Sequence, residues 1–226
     1  MAFWCEGLSS YALALDGRKR PCRVRTSNAG HCLFAGIASP EHAVLLARTL
    51  LSPEFFSGWG VRTVAASEAN YNPMSYHNGS IWPHDAALIA LGMARYGFQD
   101  RAVRILTGLF EASLYFDLRR MPELFCGFQR QPDEGPVLYP VACSPQAWSA
   151  ASVFHLFQAC LGLEVNAVES QVCFSRPQLP AFVDELRIHN LRIGRASIDL
   201  SIANKERDVS VDVLRRDPDI HVLVAK

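Results

Sequence analysis

The helical segments of this chain are joined alternately by very short and very long connections. Apolar residues recur at helical spacing in five segments, at 27–37, 40–51, 83–96, 100–118 and 144–163. Only residues 38–39 separate the first two segments, and only residues 97–99 separate the third from the fourth. The connections 52–82 and 119–143 are long for a compact domain, and such loops are usually functional. The alternation predicts helical hairpins around a toroid, with the long loops gathered on one face.

The last quarter of the sequence changes to the period of β strands. Apolar and polar residues alternate, or β-branched residues run together, at 172–174, 183–191, 196–202, 209–214 and 221–224. The segment NKERD, at 204–208, is typical of a hairpin turn. The pattern therefore predicts a helical part at 1–165, followed by a small antiparallel β meander at 166–226 that packs on it.

Composition restricts the class of protein. The 226 residues are 50% hydrophobic, and 22 basic residues balance 22 acidic ones. This balance gives no reason to expect a nucleic acid or an anionic membrane as partner. No apolar run is long enough to span a membrane, and the first residues, which include Glu6, make a poor secretory signal. Seven scattered cysteines without a CxxC pair favour reduced thiols in a cytoplasmic protein, and neither a metal nor a cofactor is predicted.

Residues 71–85, YNPMSYHNGSIWPHD, are the stretch richest in candidate binding groups. Three aromatic residues, two histidines and two asparagines cannot form a hydrophobic stripe, but they can form a concave polar surface floored by rings. Pro73 and Gly79 mark a loop, and Pro83 suits the first position of the helix that follows. A sugar needs rings to stack on and oriented groups for its hydroxyls, so a sugar site is predicted. The alternative is a turn-rich loop held down by its own aromatic residues.

The second long loop contains a carboxylate among apolar residues. Glu123 lies between Pro122 and Leu124, and such neighbours disfavour the charged form, which suits acid or base catalysis near neutral pH. Alternatively, Glu123 caps a helix or pairs with Arg119 or Arg120. Asp133 and Glu134 lie in a turn and are expected to be solvated.

Three further residues have two interpretations each. Arg25 could bind hydroxyl groups, although a structural ion pair would explain it equally well. Trp59, between Gly58 and Gly60, could be a stacking platform or a buried packing residue. Trp148 is predicted to lie in the core, although it stands close to the start of a helix that faces the loops.

Several stretches together resemble the amylo-α-1,6-glucosidase part of glycogen debranching enzymes. They are the residues at 21–31, 56–63, 71–85, 122–128, 139–148 and 176–194, in matching order and spacing. The resemblance implies a mainly α fold, part of an (α/α)6 toroid of the six-hairpin glycosidase type. It implies that Glu123 is the general base and that Tyr76, His77, Trp82 and Asp85 belong to the sugar-binding loop.

The resemblance extends only to the C-terminal part of such an enzyme. The chain supplies about half of a toroid, and the earlier loop that carries the general acid has no counterpart here. The predicted activity is inverting hydrolysis of α-1,6 branch points in an α-glucan or oligosaccharide. The alternative is a non-catalytic fragment that binds oligosaccharide or assembles with other parts. An uncovered flank predicts self-association, or docking with a missing N-terminal portion.

Overall fold

The computed structural model describes residues 3–205 and 208–226, with the helices ahead of most strands. A short hairpin of β1 (Trp4–Cys5) and β2 (Ser10–Tyr11) comes first. The helices are α1 (His31–Phe34), α2 (Pro40–Leu50), α3 (Pro83–Arg95), α4 (Gln99–Ser113) and α5 (Ala147–Leu161). The later strands are β3 (Leu163–Asn166), β4 (Gln171–Ser175), β5 (Glu185–Ile193), β6 (Ala196–Lys205), β7 (Asp208–Arg216) and β8 (His221–Ala225).

Helix α3 lies at the centre of the helical part, in contact with α1, α4 and α5. Its buried face, which includes Ile89 and Met93, belongs to the larger of two hydrophobic cores. Gly97 has φ +80°, a conformation that favours glycine, and the chain turns there from α3 into α4. Each helix is therefore stabilised mainly by burying one face against its neighbours.

The predicted helix ends needed correction at several places, and α1, for example, ends at Phe34 rather than at 37. Ser27 is not an N-cap: residues Ser27–Gly30 form a 3₁₀ turn before α1, and the amide of Ser27 donates to the carbonyl of Thr63 at 2.9 Å. Helix α4 ends at Ser113 rather than at 118. Helix α5 begins at Ala147 rather than at 144, because Gln146 is extended and its amide donates to the carbonyl of Met121. At these places tertiary hydrogen bonds or turns replace the regular helix.

Strands β3 to β8 form two separate three-stranded sheets, so the prediction of one antiparallel meander was wrong. Strands β5, β6 and β7 do form an antiparallel meander. In the other sheet, however, β8 returns to pair in parallel with β4, beside β3. Period-two alternation identifies a strand but not its partner. Residues 206–207 of the predicted NKERD turn lie outside the described residues, and the flanking Lys205 and Asp208 are paired.

The sheets enclose the second hydrophobic core, which includes Phe174, Leu200 and Ile202. The division of the chain at 165/166 falls inside β3 and stays a prediction, as does the (α/α)6 toroid. None of the helices in the described ranges combines the length and the apolarity needed to cross a membrane.

The two long loops pair with each other and thereby position the site. Ile81 and Phe125 exchange backbone hydrogen bonds of 2.9 and 3.1 Å. Buried Arg62 extends this connection, because its guanidinium donates to the carbonyl of Gly127 at 2.7 Å. The backbones approach so closely that a Cβ on Gly127 would clash with the carbonyl oxygen of Gly79. The sequence therefore needs glycine here to bring the loops together.

Candidate active site

Glu123 is held in place by groups from both long loops. The hydroxyl of Tyr76 donates to Oε1 of Glu123 at 2.6 Å, and the backbone amide of Cys143 approaches Oε2 at 3.3 Å. The predicted alternative, pairing of Glu123 with Arg119 or Arg120, is not found among the described residues. Glu123 is half-buried, so its carboxylate is both restrained and open to solvent.

Tyr76 is surrounded by other rings. Its ring lies edge-on to His77, Trp82 and Tyr139, at centroid distances of 4.7, 4.9 and 5.7 Å. The hydrogen bond to Glu123, aided by burial and by the charge of Glu123, raises the pKa of Tyr76 to about 12. Tyr76 is therefore a phenol, and a hydrogen-bond donor, throughout the physiological range.

Trp82 forms a rigid wall beside Tyr76. It is 9% exposed, and its indole N–H donates to Ser80 Oγ at 2.9 Å and to the carbonyl of Tyr76 at 3.1 Å. The ring of His77 is parallel to it within 6°, at a centroid distance of 6.2 Å. Pro83 occupies the first turn of α3, as predicted, so the loop delivers Trp82 at a helix start.

His84 and Trp148 form a second aromatic wall, contributed by α3 and α5. Their rings are stacked with centroids 4.2 Å apart and planes within 16°. Burial lowers the pKa of His84, although the charges of Asp85 and Glu123 act in the opposite direction. A neutral imidazole is therefore favoured at this position near pH 7.

His31 and Asp85 form a polar pair at the start of α3. Nε2 of His31 lies 2.6 Å from Oδ1 of Asp85. This hydrogen bond raises the pKa of His31, against the effect of partial burial. Asp85 stands in the first turn of α3, where the helix dipole favours a negative charge.

The two aromatic walls and the His31–Asp85 pair line a pocket of about 450 Å³, and Glu123 and Tyr76 lie beside it, behind Trp82. Five aromatic rings and several polar groups line it; these residues include His31, His77, Asn78, Trp82, His84, Asp85 and Trp148. A pocket of about 510 Å³ lies among the strands, near Arg176 and Asp208, but the residues described around it include no aromatic ring. The pocket lined by Trp82 and Trp148 fits a sugar better than the pocket among the strands, because aromatic rings and hydrogen-bonding groups converge there.

Two predicted site residues are placed elsewhere. Trp59 is 3% exposed, and the guanidinium of Arg130 covers its ring at 4.2 Å. Arg25 donates from Nε to Glu68 at 2.9 Å and also bonds Ser67. In the structure Trp59 is therefore a buried packing residue, and Arg25 forms a structural ion pair. We do not include either in the sugar site proposed below.

Several pocket residues were not predicted as site residues, among them His31, Asn78, His84 and Trp148. His31 follows a 3₁₀ turn 54 residues before Asp85, so no local spacing connects them. His84 stands between Pro83 and Asp85 in the motif at 71–85, and its place in that motif was a sequence signal that it belongs to the site. Trp148 was expected in the core, yet it is 49% exposed. Its position near the start of α5, facing the loops, was the sequence signal for a site role.

A family model decides the class of the protein. The model of the mannosylglycerate hydrolase MGH1-like glycoside hydrolase domain matches residues 2–120, which is more than half of the chain. The chain belongs to this family. MGH1-like membership confirms the predicted glycoside hydrolase class, whereas the debranching type remains a proposal. The matched region includes the motif at 71–85 and ends before Glu123.

Solved structures show a similar fold. One is a GH63 mannosylglycerate hydrolase from Thermus thermophilus in complex with Tris; it is 21% identical over 69% of this chain and 34% of its own, with a TM-score of 0.52. The same enzyme in complex with glucose is 22% identical over 70% of this chain and 37% of its own, with a TM-score of 0.52. This MGH1-like chain thus spans about a third of the length of these structures. No curated protein matches it.

Proposed function

We propose that this chain is part of a glycoside hydrolase in which Glu123 is the general base. The observation that carries the proposal is the meeting of the two long loops, which fixes the Glu123 carboxylate with Tyr76 beside a ring-lined pocket. Membership of a glycoside hydrolase family supports the same reaction class.

In the proposed reaction, Glu123 accepts a proton from the water that attacks the sugar. Inverting glycosidases place this base roughly 6.5–9.5 Å from an acid carboxyl, with the water between the base and the sugar. Asp85 lines the pocket, but its Oδ1 is engaged by His31 at 2.6 Å. We infer that the general acid comes from a part of the enzyme outside these 226 residues. The greater length of the similar structures supports this inference.

The pocket walls are proposed to bind the sugar. The ring of Trp148 is exposed on the His84 stack, so its free surface can pack against the C–H face of a sugar. His77 and Asp85, which line the same pocket, offer partners for hydroxyl groups. Trp82 then serves as a rigid back wall rather than as an open platform.

Two substrates are supported by different observations. The similar structures are mannosylglycerate hydrolases, which favours a small glycoside with an acidic aglycone. The motif resemblance favours an α-1,6-linked glucan instead. The two substrates differ most in the size of the group that leaves.

A non-catalytic role remains the alternative. Helix α5 exposes Trp148, Val153 and Phe154 around its circumference, and exposed apolar residues can mark an interface. We propose that the surface of α5 around Phe154 docks with an N-terminal portion of the domain or, in the isolated chain, with a second copy. A chain that only binds and assembles would still bind sugar but would not hydrolyse it, whichever of these partners it docks with.

A glycoside panel tests the proposal. Saturation-transfer NMR would detect binding of mannosylglycerate, isomaltose and a branched α-glucan, and the anomeric proton signals would report hydrolysis. We expect binding of at least one member, with the β anomer appearing first if hydrolysis inverts. Absence of binding to every member would refute the sugar site.

A further inference from the structure

The backbone of Glu123 is anchored independently of its side chain. Its amide donates to the carbonyl of Cys143 at 2.8 Å, and its own carbonyl accepts from Ser149 Oγ at 3.2 Å. Flanking Pro122 and Leu124 are buried. The remaining freedom therefore lies in the side-chain torsions, which decide where the carboxylate oxygens point.

The strongest restraint on those torsions is the hydroxyl of Tyr76. Its 2.6 Å hydrogen bond is short, as expected when a carboxylate oxygen accepts, whereas the Cys143 amide is more distant at 3.3 Å. The ring of Tyr76 cannot swing away easily, because His77, Trp82 and Tyr139 surround it.

The single proton of the Tyr76 hydroxyl is thereby committed to Glu123. The sequence motif suggests that Tyr76 is a sugar contact, yet this proton is unavailable to a sugar while the bond persists. Oxygen Oε1 is occupied, so Oε2, with its weaker partner, is the atom left to bind the attacking water.

We propose that Tyr76 is a positioning residue, which orients the Glu123 carboxylate so that Oε2 faces the water. This inference rests on the proposed role of Glu123 as general base. A misplacement of about 1 Å can reduce catalysis by about 100-fold, so such a restraint would matter for turnover.

Two NMR signatures test the inference without requiring turnover. The first is the amide of Cys143, which reports where Oε2 points. In Tyr76→Phe the ring is kept but the restraint is lost, so we expect the Cys143 amide proton signal to move upfield and its hydrogen exchange to accelerate. The matched control is Tyr115→Phe, which removes an exposed phenol away from the pocket and should leave this amide unchanged.

The second signature is the ionisation of Tyr76, followed with ¹³Cζ-labelled tyrosine. With a pKa of about 12, Tyr76 should remain a phenol at pH 11 in the parent chain. In Glu123→Gln the acceptor is neutral, so Tyr76 should ionise closer to the ordinary value of 10.0. Circular dichroism at each pH would establish that the variants are folded.

The two NMR results test the positioning role of Tyr76 separately from the proposed function. An unchanged Cys143 amide in Tyr76→Phe, or identical Tyr76 ionisation in parent and Glu123→Gln, would overturn the positioning role even if the chain binds glycosides. Conversely, both signatures could appear as expected in a chain that binds no sugar. Where turnover is measurable, Tyr76→Phe should lower kcat by 10-fold or more and change sugar Kd by less than about 2-fold; equal losses in both would instead mark Tyr76 as a sugar contact.

Discussion

The imidazole of His84 lies flat on the indole of Trp148, with ring centroids 4.2 Å apart. One ring comes from the first turn of α3 and the other from the first turn of α5, so the stack joins two helices at the pocket. Because the opposite face of Trp148 is open, the stack offers a platform already held in place.

Replacing Trp148 with alanine should weaken sugar binding with little loss of stability. The ring is half exposed, so its removal creates no closed cavity, but it deletes the stacking surface. We expect a loss of about 1–3 kcal/mol in binding. Calorimetric titration with the bound glycoside and a thermal melt of the same sample would measure both effects.

Trp82→Ala is the contrasting variant. Trp82 is buried and its indole N–H is bonded, so truncation should cost about 3–5 kcal/mol of folding free energy. A stable Trp82→Ala protein with weakened binding would instead show that Trp82 is the platform. Urea unfolding of the two tryptophan variants separates these cases.

Gly127→Ala should destabilise the chain and separate the two long loops. The added Cβ would clash with the carbonyl oxygen of Gly79, and backbone atoms cannot move aside cheaply. We expect a loss of about 1–3 kcal/mol, as for other overpacked positions. Gly17→Ala is the matched control, because nothing lies within 4 Å of its Cβ. Equal unfolding midpoints for both variants would exclude a required close approach.

The His31–Asp85 pair should make stability depend on pH. The pKa of His31 is raised in the folded chain, so its contribution is fully present below the unfolded value of 6.5 and is lost as pH rises through the higher folded value. Because the ring is half exposed, we expect about 1 kcal/mol or less. The stability difference between the parent and Asp85→Asn should therefore be larger at pH 5.5 than at pH 8.5. A difference that grows with pH would contradict this.

The helices and strands were largely predictable because each depends on local periodicity. Proline at the first turn of α3 and glycine after it marked that helix correctly. Sheet pairing was not predictable, because the parallel contact of β4 with β8 joins segments about 50 residues apart. The candidate site was likewise predictable only in part. Glu123 and the motif at 71–85 were visible as sequence, but the hydrogen bond from Tyr76 and the pairing of His31 with Asp85 depend on the loops meeting.

The exposed surface of α5 around Phe154 should drive self-association of the isolated chain. Phe154 is 75% exposed, and an exposed apolar side chain of this size is typical of an interface. Phe154→Glu should therefore shift the chain towards monomer in analytical ultracentrifugation. Val168→Glu, at an exposed residue outside α5, is the control and should not alter the distribution. A parent chain that stays monomeric at high concentration would argue against the interface.

Glu123→Gln, assayed for both sugar binding and sugar release, tests the proposed catalytic role. The side chain keeps its shape but no longer accepts a proton from water. We therefore expect the glycoside to bind with nearly unchanged Kd, while turnover falls by about 100-fold or more. Since the general acid is inferred to lie outside these residues, release by the parent 226-residue chain should itself be slow. Robust release of free sugar from a bound α-glycoside by this chain, undiminished in Glu123→Gln, would contradict both the role of Glu123 and the inferred absence of the acid.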